Sequence, residues 1–276
     1  MKSLLVFILI IFCGNVHAQK FEYYFEKGQV NLDTGNYKLA LLYYDSAIRK
    51  NPKHANSYFN RGLCKDEMED YKGAIIDYTK YLSYNPEDPD GYKFRGDAKL
   101  YLEDTLGALS DYNTSINIDP NKYGARYNRA RLYGGMDSTE LALIDFTYAV
   151  SIDSTRYNGL FYKSLTHYYL NQQDSALKYF NKCIVKDSLD DRTYYYRGKL
   201  KFFKKDFDEA LKDINNAIRL NPKDADYFIA RAKIYYFNDN EYDDELASDD
   251  LYTAIKMGSE LAKKLLEEYF EEDDGN

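Results

Sequence analysis

Hydrophobic and small residues recur along this chain every 34 positions. Gly28, Gly62 and Gly96 are followed at the same step by Ala130, Ser164, Gly198 and Ala232. Twelve residues beyond each of the first six stands an alanine: Ala40, Ala74, Ala108, Ala142, Ala176 and Ala210, with Ala247 arriving three residues late in the seventh. Four residues past each alanine comes a large apolar side chain: Tyr44, Tyr78, Tyr112, Phe146, Phe180, Ile214 and Leu251. Four before each small residue stand Tyr24, Tyr58, Tyr92, Arg126, Leu160, Tyr194 and Phe228. A spacing of four keeps side chains on one helical face, and small residues let two helices cross closely. Each period therefore predicts a pair of antiparallel helices. At the period boundaries, Asn51-Pro52, Asn85-Pro86, Asp119-Pro120 and Asn221-Pro222 stop one helix and open the next. Asp153-Ser154 and Asp187-Ser188 hold the same places without proline and are expected to cap well but less rigidly.

This pattern resembles the tetratricopeptide repeat family, whose unit is a 34-residue helix-turn-helix. In the second unit Tyr58 stands at the family's first aromatic, Gly62 at its small residue, Tyr71 at the opening of helix B, Ala74 and Tyr78 at the core pair, and Asn85-Pro86 at the close. Some positions depart. Tyr81 replaces a small residue late in helix B, Lys65 and Lys99 replace an aromatic late in helix A, and Arg126 replaces the first aromatic, which predicts imperfect packing in units two to four. The resemblance implies an all-α, right-handed superhelical solenoid of antiparallel helix pairs. It divides into about seven repeats, 21–54, 55–88, 89–122, 123–156, 157–190, 191–224 and 225–258. Ser259 reads as the N-cap of a capping helix over 259–270, with Ala262, Leu265, Leu266, Tyr269 and Phe270 on one face, followed by an acidic, frayed tail over 271–276. One solenoid over 19–270 leaves no space for a second domain.

The first 18 residues break the pattern. Lys2, the apolar run Leu4–Phe12 and the closing Val16-His17-Ala18 read as a signal peptide cleaved after Ala18. The run is short for a membrane span, so an uncleaved anchor is the lesser reading, and Phe12 before Cys13 argues against lipoprotein processing. The expected location is the periplasm or the exterior, with no membrane insertion once the leader is gone. Cys64 and Cys183 remain and read as two separate buried thiols.

Composition then narrows the function. The net charge is −8, and −9 once Lys2 is removed with the leader. An acidic chain repels phosphate backbones, so no nucleic-acid partner is expected. The 31 Tyr and 15 Phe, without a single Trp, exceed what the helix-pair core requires and point to a surface use. In the family's geometry the first helix of each unit lines an inner groove. Its fifth residues here are Phe25, Phe59, Lys93, Tyr127, Phe161, Tyr195 and Ile229. The twelfth and thirteenth in later units are Tyr168, Tyr169, Phe202, Phe203, Tyr236 and Phe237. Arg131, Arg192, Lys199 and Lys233 share that wall, whereas Asp66, Glu67, Asp90 and Asp97 make its early part acidic. Contiguous aromatic surface with a polar rim suits a protein or peptide partner. Of the Lys/Asn set with which some family members grip a C-terminal carboxylate, only Lys93 and Asn128 match, and Asp97 stands where an Asn is expected.

The chemistry of catalysis is missing. Three His, one of them in the leader, are not spaced as metal ligands, and no phosphate loop or nucleophile elbow occurs. The acidic cluster Asp239, Glu241, Asp243, Asp244, Glu245, Asp249 and Asp250 has Asp244 where a calcium loop needs Gly, and reads as an elongated turn. No enzyme activity, cofactor or metal is expected. The expected function is a protein–protein scaffold or adaptor outside the cytoplasm that binds an extended peptide or protein, most strongly from the fourth repeat to the seventh. A glycan- or peptidoglycan-associated module supporting a cell-wall enzyme is the alternative.

Overall fold

The computed structural model describes residues 20–238 and 243–270, and all regular structure among them is α-helical. The expected leader, the tail and the first two members of the acidic cluster, Asp239 and Glu241, lie outside the described residues. Helix α1 covers 20–33. It is followed by α2 (Tyr37–Lys50), α3 (Ala55–Glu67), α4 (Tyr71–Leu82), α5 (Pro89–Tyr101), α6 (Thr105–Ile118) and α7 (Tyr123–Gly135). Then come α8 (Thr139–Ile152), α9 (Tyr157–Tyr169), α10 (Gln173–Lys186), α11 (Asp191–Phe203), α12 (Phe207–Leu220), α13 (Ala225–Phe237), α14 (Asp244–Lys256) and α15 (Glu260–Phe270). They form an all-α stack of repeated helix pairs, divided into two compact units between Gly135 and Met136. The first unit holds α1–α7 and the second α8–α15, so the fourth repeat contributes one helix to each.

Within the first unit, each helix-A glycine lies under a helix-B tyrosine. A Cβ at Gly28, Gly62 or Gly96 would stand 2.6, 2.7 or 2.9 Å from the ring of Tyr44, Tyr78 or Tyr112. No larger residue fits without displacing a ring that is wholly buried. In the second unit the corresponding buried side chains are Phe180, Ile214 and Leu251, with Phe146 on α8. Helix α15 closes the last repeat as expected: Ser259 accepts from the Ala262 amide at 3.3 Å. Ala262, Leu265 and Leu266 bury against Ile229, Ala232, Leu251 and Ala254.

A polar lattice repeats with the same period as the core. Arg61 grips Asp77 with two nitrogens at 2.8 and 2.5 Å, and Lys65 reaches the same carboxylate at 2.8 Å. Arg95 and Lys99 do this to Asp111, and Arg197 and Lys201 to Asp213. Arg231 grips Asp250 in the seventh repeat. The third arginine nitrogen reaches back to helix B of the preceding repeat, at Asp45, Thr79, Asn181 or Asn215. These aspartates are almost fully buried, which a carboxylate tolerates only when such donors saturate it.

The departures from the family pattern each have a partner, so the expected loose packing of repeats two to four is not found. Lys65 and Lys99 belong to the lattice just described. Arg126 donates its Nε to the Pro120 carbonyl at 2.6 Å, the bond that Tyr58 and Tyr92 make to Pro52 and Pro86 through their hydroxyls. Tyr81 finds room because the next repeat offers Gly91, whose Cβ would stand 2.9 Å from that ring, and its hydroxyl bonds Asp88. The proline-free junctions work differently from expectation. Asp153 and Asp187 accept from the amides two residues on, at 2.9 Å each, shaping the turn. The cap of α11 is Asp190, whereas α9 has no side-chain cap.

Candidate functional site

In the second unit, α11 and α13 present their aromatic sides to one cleft of about 370 Å³. Tyr195, Lys199, Phe202 and Phe203 come from α11. Asp226, Ile229, Ala230, Lys233 and Ile234 come from α13, with Ile214 beneath and Leu261 of α15 at one end. The repeat places them there: side chains four residues apart on helix A share a face, and two successive helices A lie side by side. Ile214, Ile229 and Ile234 make a dry floor. The walls are rings set at angles, Tyr195 against Tyr227 at 4.9 Å and 35°, and Phe202 against Phe203 at 5.7 Å and 60°. Lys199 lies 5.1 Å from the centre of the Tyr195 ring. Burial and the charge of Lys233 hold its ammonium below the usual lysine pKa, with Asp226 acting in the opposite direction. The cleft suits an apolar side chain on its floor and hydrogen-bond acceptors at its rim.

The first unit offers a more polar recess of about 580 Å³, lined by Asp97, Leu100, Tyr101, Tyr112, Asn128, Arg131 and Leu132. Asp97 accepts from Tyr112 at 2.6 Å and Asn128 at 2.7 Å, and pairs with Lys93 at 2.7 Å. Nearby, Asp66 accepts from Tyr78 at 2.5 Å while its Oδ1 is buried without a partner. Burial pushes Asp66 up to about 6, and the Tyr78 hydrogen bond opposes that shift.

The residues expected to line a groove therefore separate. Tyr195, Lys199, Phe202 and Lys233 come together in the second-unit cleft. Phe25 and Phe59 are half-buried, against Tyr44 and His54 and against Tyr81 and Phe94. Lys93 is held on Asp97. Tyr127 stacks on Tyr123 at 5.8 Å, and Arg131 stands exposed 5.9 Å from the Tyr127 ring centre. Tyr168 is half-buried with its ring near Tyr196, and Tyr169 is 63% exposed. Two expectations are corrected. Phe161 is core, 2% exposed, because Phe180, Tyr196 of the next helix A and Arg192 enclose its ring. Tyr236 does not face an open groove: Tyr269 of α15 stacks on it at 4.0 Å, where a further repeat would otherwise lie. Asp226, Ala230 and Leu261 were not named from the sequence: Asp226 holds the second offset, which Asp90 and Arg192 hold in earlier units, while Ala230 stands at another offset and Leu261 on the capping helix. Among the described residues no group of acidic, His and Cys side chains is arranged to hold a metal. Cys64 and Cys183 are both buried free thiols. No described helix is long and apolar enough to cross a membrane.

Comparison with known proteins agrees with this architecture. Residues 25–92 and 195–260 match the tetratricopeptide repeat model. No curated protein matches the chain in sequence. Among solved structures it is similar to a tetratricopeptide repeat protein from Parabacteroides merdae, with 25% identity over 90% of this chain and 98% of that one, at a TM-score of 0.63. The C-terminal part of a TPR repeat-containing protein from Cytophaga hutchinsonii has 15% identity over 88% and 98%, at a TM-score of 0.70. YrrB, described as a TPR protein with an unusual peptide-binding site, has 20% identity over 69% and 97%, at a TM-score of 0.60. These matches support the tetratricopeptide repeat family for this chain, a fold that suggests a protein–protein interaction scaffold.

Proposed function

We propose that the chain is a scaffold outside the cytoplasm that holds an extended peptide segment of a partner in the cleft between α11 and α13. The cleft itself carries this reading: an apolar floor, rigid aromatic walls and two rim lysines are already in place before any ligand arrives. Preorganised anchors lower the ordering cost of binding, and aromatic side chains contribute much area for little rotamer entropy. The peptide-binding site in the description of YrrB is consistent with this use of the fold. A sugar face prefers flat parallel platforms, whereas Phe202 meets both Phe203 and Phe237 at 60°, which favours peptide over glycan. The location rests on the leader-like first 18 residues, and predicts a mature chain that begins at Gln19.

A photo-crosslinking residue at Phe203, in cells expressing the full chain, tests the site. One partner should be captured, and the capture should be lost in a Tyr195→Ala/Lys233→Glu variant that retains its helical circular dichroism. Equal capture by that variant would move the interface away from this cleft. N-terminal sequencing of the captured chain checks the location, and an intact Met1 would overturn export with cleavage.

A further inference from the structure

The polar lattice is not uniform along the chain. The second, third and sixth repeats have arginine, lysine and aspartate, and the fourth and seventh keep the arginine and aspartate with Tyr133 or Tyr235 between them. The first has Lys27, Asn31 and Tyr43 at these positions and the fifth has Lys163, His167 and Tyr179, but Lys27 is exposed whereas Lys163 is buried. Lys163 is 6% exposed and points its ammonium at the Tyr179 ring, 4.3 Å from the centre. Lys182 and Lys178 of α10 approach the same ring, at 5.4 and 6.0 Å. None of the three lysines pairs with a carboxylate among the described residues. Acids flanking them on either side are engaged elsewhere. Asp174 pairs with Lys204 at 2.9 Å, Asp187 holds the Leu189 amide, and Asp190 accepts from Tyr157 and Thr193 and pairs with Arg192. His167 stacks flat on Tyr179 at 5.2 Å and 3°. Its Nδ1 bonds the Gln172 side-chain amide at 2.7 Å, and its Nε2 is buried without a partner. Burial holds His167 below its usual pKa, so it orients the ring without adding charge at neutral pH.

We propose that the fifth repeat carries an oxyanion-binding site, in which Lys163, Lys178, Lys182 and the Tyr179 hydroxyl take a carboxylate or phosphate group from outside the chain. The logic is that of the second, third and sixth repeats, where a buried aspartate satisfies two cations. Here one lattice cation, Lys163, remains, Lys178 and Lys182 stand beside it, and the carboxylate is gone, leaving an ammonium largely out of water with no counter-charge, a costly arrangement that an anion relieves. Tyr179 is half-buried and Lys178 and Lys182 are exposed, so the ligand can reach them without opening the core. Hydrogen bonding from Lys163, reinforced by all three ammonium charges, holds the Tyr179 phenol below its ordinary pKa and makes it a stronger donor to an incoming anion. This site is separate from the α11–α13 cleft and does not depend on the peptide reading.

Calorimetric titration of the full chain at fixed ionic strength tests it, with inorganic phosphate in one arm and a capped hexaglutamate peptide in the other. One binding event per chain is expected in at least one arm. Phosphate binding identifies a phosphoryl source, and hexaglutamate binding alone identifies the acidic segment of a protein. In either case the exposed-surface variant Lys178→Gln/Lys182→Gln should weaken affinity about tenfold or more. Tyr179→Asp, which restores the lattice carboxylate, should abolish binding. Lys212→Gln in the sixth repeat, a lysine already paired with Glu209 at 2.6 Å, should leave it unchanged. Binding in neither arm, or equal binding by native chain and both site variants, overturns the proposal.

Discussion

The second and fifth repeats fold the same helix pair from different interactions. In the second, Tyr78 fills the space above Gly62 and sends its hydroxyl to Asp66, while Arg61, Lys65 and Asp77 bind helix A to helix B. In the fifth, Ser164 replaces the glycine, Phe180 replaces the tyrosine, Tyr168 stands at the place of Asp66, and the Arg–Lys–Asp lattice becomes Lys163, His167 and Tyr179. Ser164 donates its hydroxyl to the Leu160 carbonyl of its own helix at 2.8 Å, and the same oxygen meets Cys183 Sγ across the pair at 3.6 Å. The shared elements are the small residue, the alanine and the large apolar side chain. Those set how closely the helices cross, and the polar partners are interchangeable around them. The lattice charges distinguish the repeats: Arg61 and Lys65 of the second are paired with carboxylates, whereas buried Lys163 of the fifth meets the Tyr179 ring instead.

The largest effect that separates them should come from the lattice. Asp77→Ala strands Arg61 and Lys65 against a buried cavity and should cost about 3 kcal/mol. Tyr179→Phe at the equivalent position should cost less, about 1.5 kcal/mol, since buried Lys163 loses one hydrogen bond but no ion pair. Urea midpoints of the two variants check this, and similar losses would show that the carboxylate is not what binds the second repeat. Next comes proton uptake at Asp66. Its pKa in the folded chain is raised to about 6 from the ordinary 3.8. The folded state therefore holds the proton more tightly, and this group favours folding fully below pH 3.8 and loses that contribution as pH rises through about 6. Asp66→Asn should flatten that part of the stability profile, measured by denaturation between pH 4 and 7. The fifth repeat has Tyr168 there, which burial raises above its ordinary value, so it contributes nothing in this range. An unchanged slope in Asp66→Asn would assign the dependence to other carboxylates.

Much of this architecture was legible from spacing alone, because helix crossing is governed by side-chain size and size repeats visibly. Gly62, Ala74 and Tyr78 announce a helix pair without any tertiary information. The cleft was legible in part: Tyr195, Lys199, Phe202 and Lys233 follow from the offsets, whereas Leu261 enters from the capping helix, which no repeat register predicts. Phe161 misled for a physical reason. Offset five faces outward on an isolated helix pair, and whether it stays open depends on the bulk that the next helix brings, here Tyr196 and Arg192. The lattice was present in the same period, from Arg61, Arg95, Arg197 and Arg231 to Asp77, Asp111, Asp213 and Asp250, but charged residues read as solvated until burial is known. Only the structure shows that these aspartates are interior, and only then does Tyr179, facing a buried lysine where the first repeat's Tyr43 has an exposed one, stand out.

The smallest difference lies in the turns between paired helices. Gly35 adopts a left-handed backbone, φ 74°, and the residues at later steps of 34 do so without being glycine, including Glu69 at 62° and Asn171 at 53°. For a side chain such as glutamate that conformation costs about 1–2 kcal/mol, whereas asparagine visits it readily. Glycine removes the strain but adds about 0.5–1 kcal/mol of chain entropy to be lost on folding. For Glu69→Gly the relief exceeds the entropy, and a net gain of about 0.5–1 kcal/mol is expected. For Asn171→Gly there is little strain to relieve, and the bond from Gln173 to the Asn171 side chain at 3.2 Å is lost, so the change should be neutral or slightly destabilising. Paired urea midpoints for the two variants decide the matter. A gain of the same size in both repeats would mean that left-handed strain does not depend on the side chain here, and would place the difference between the repeats in their helices alone.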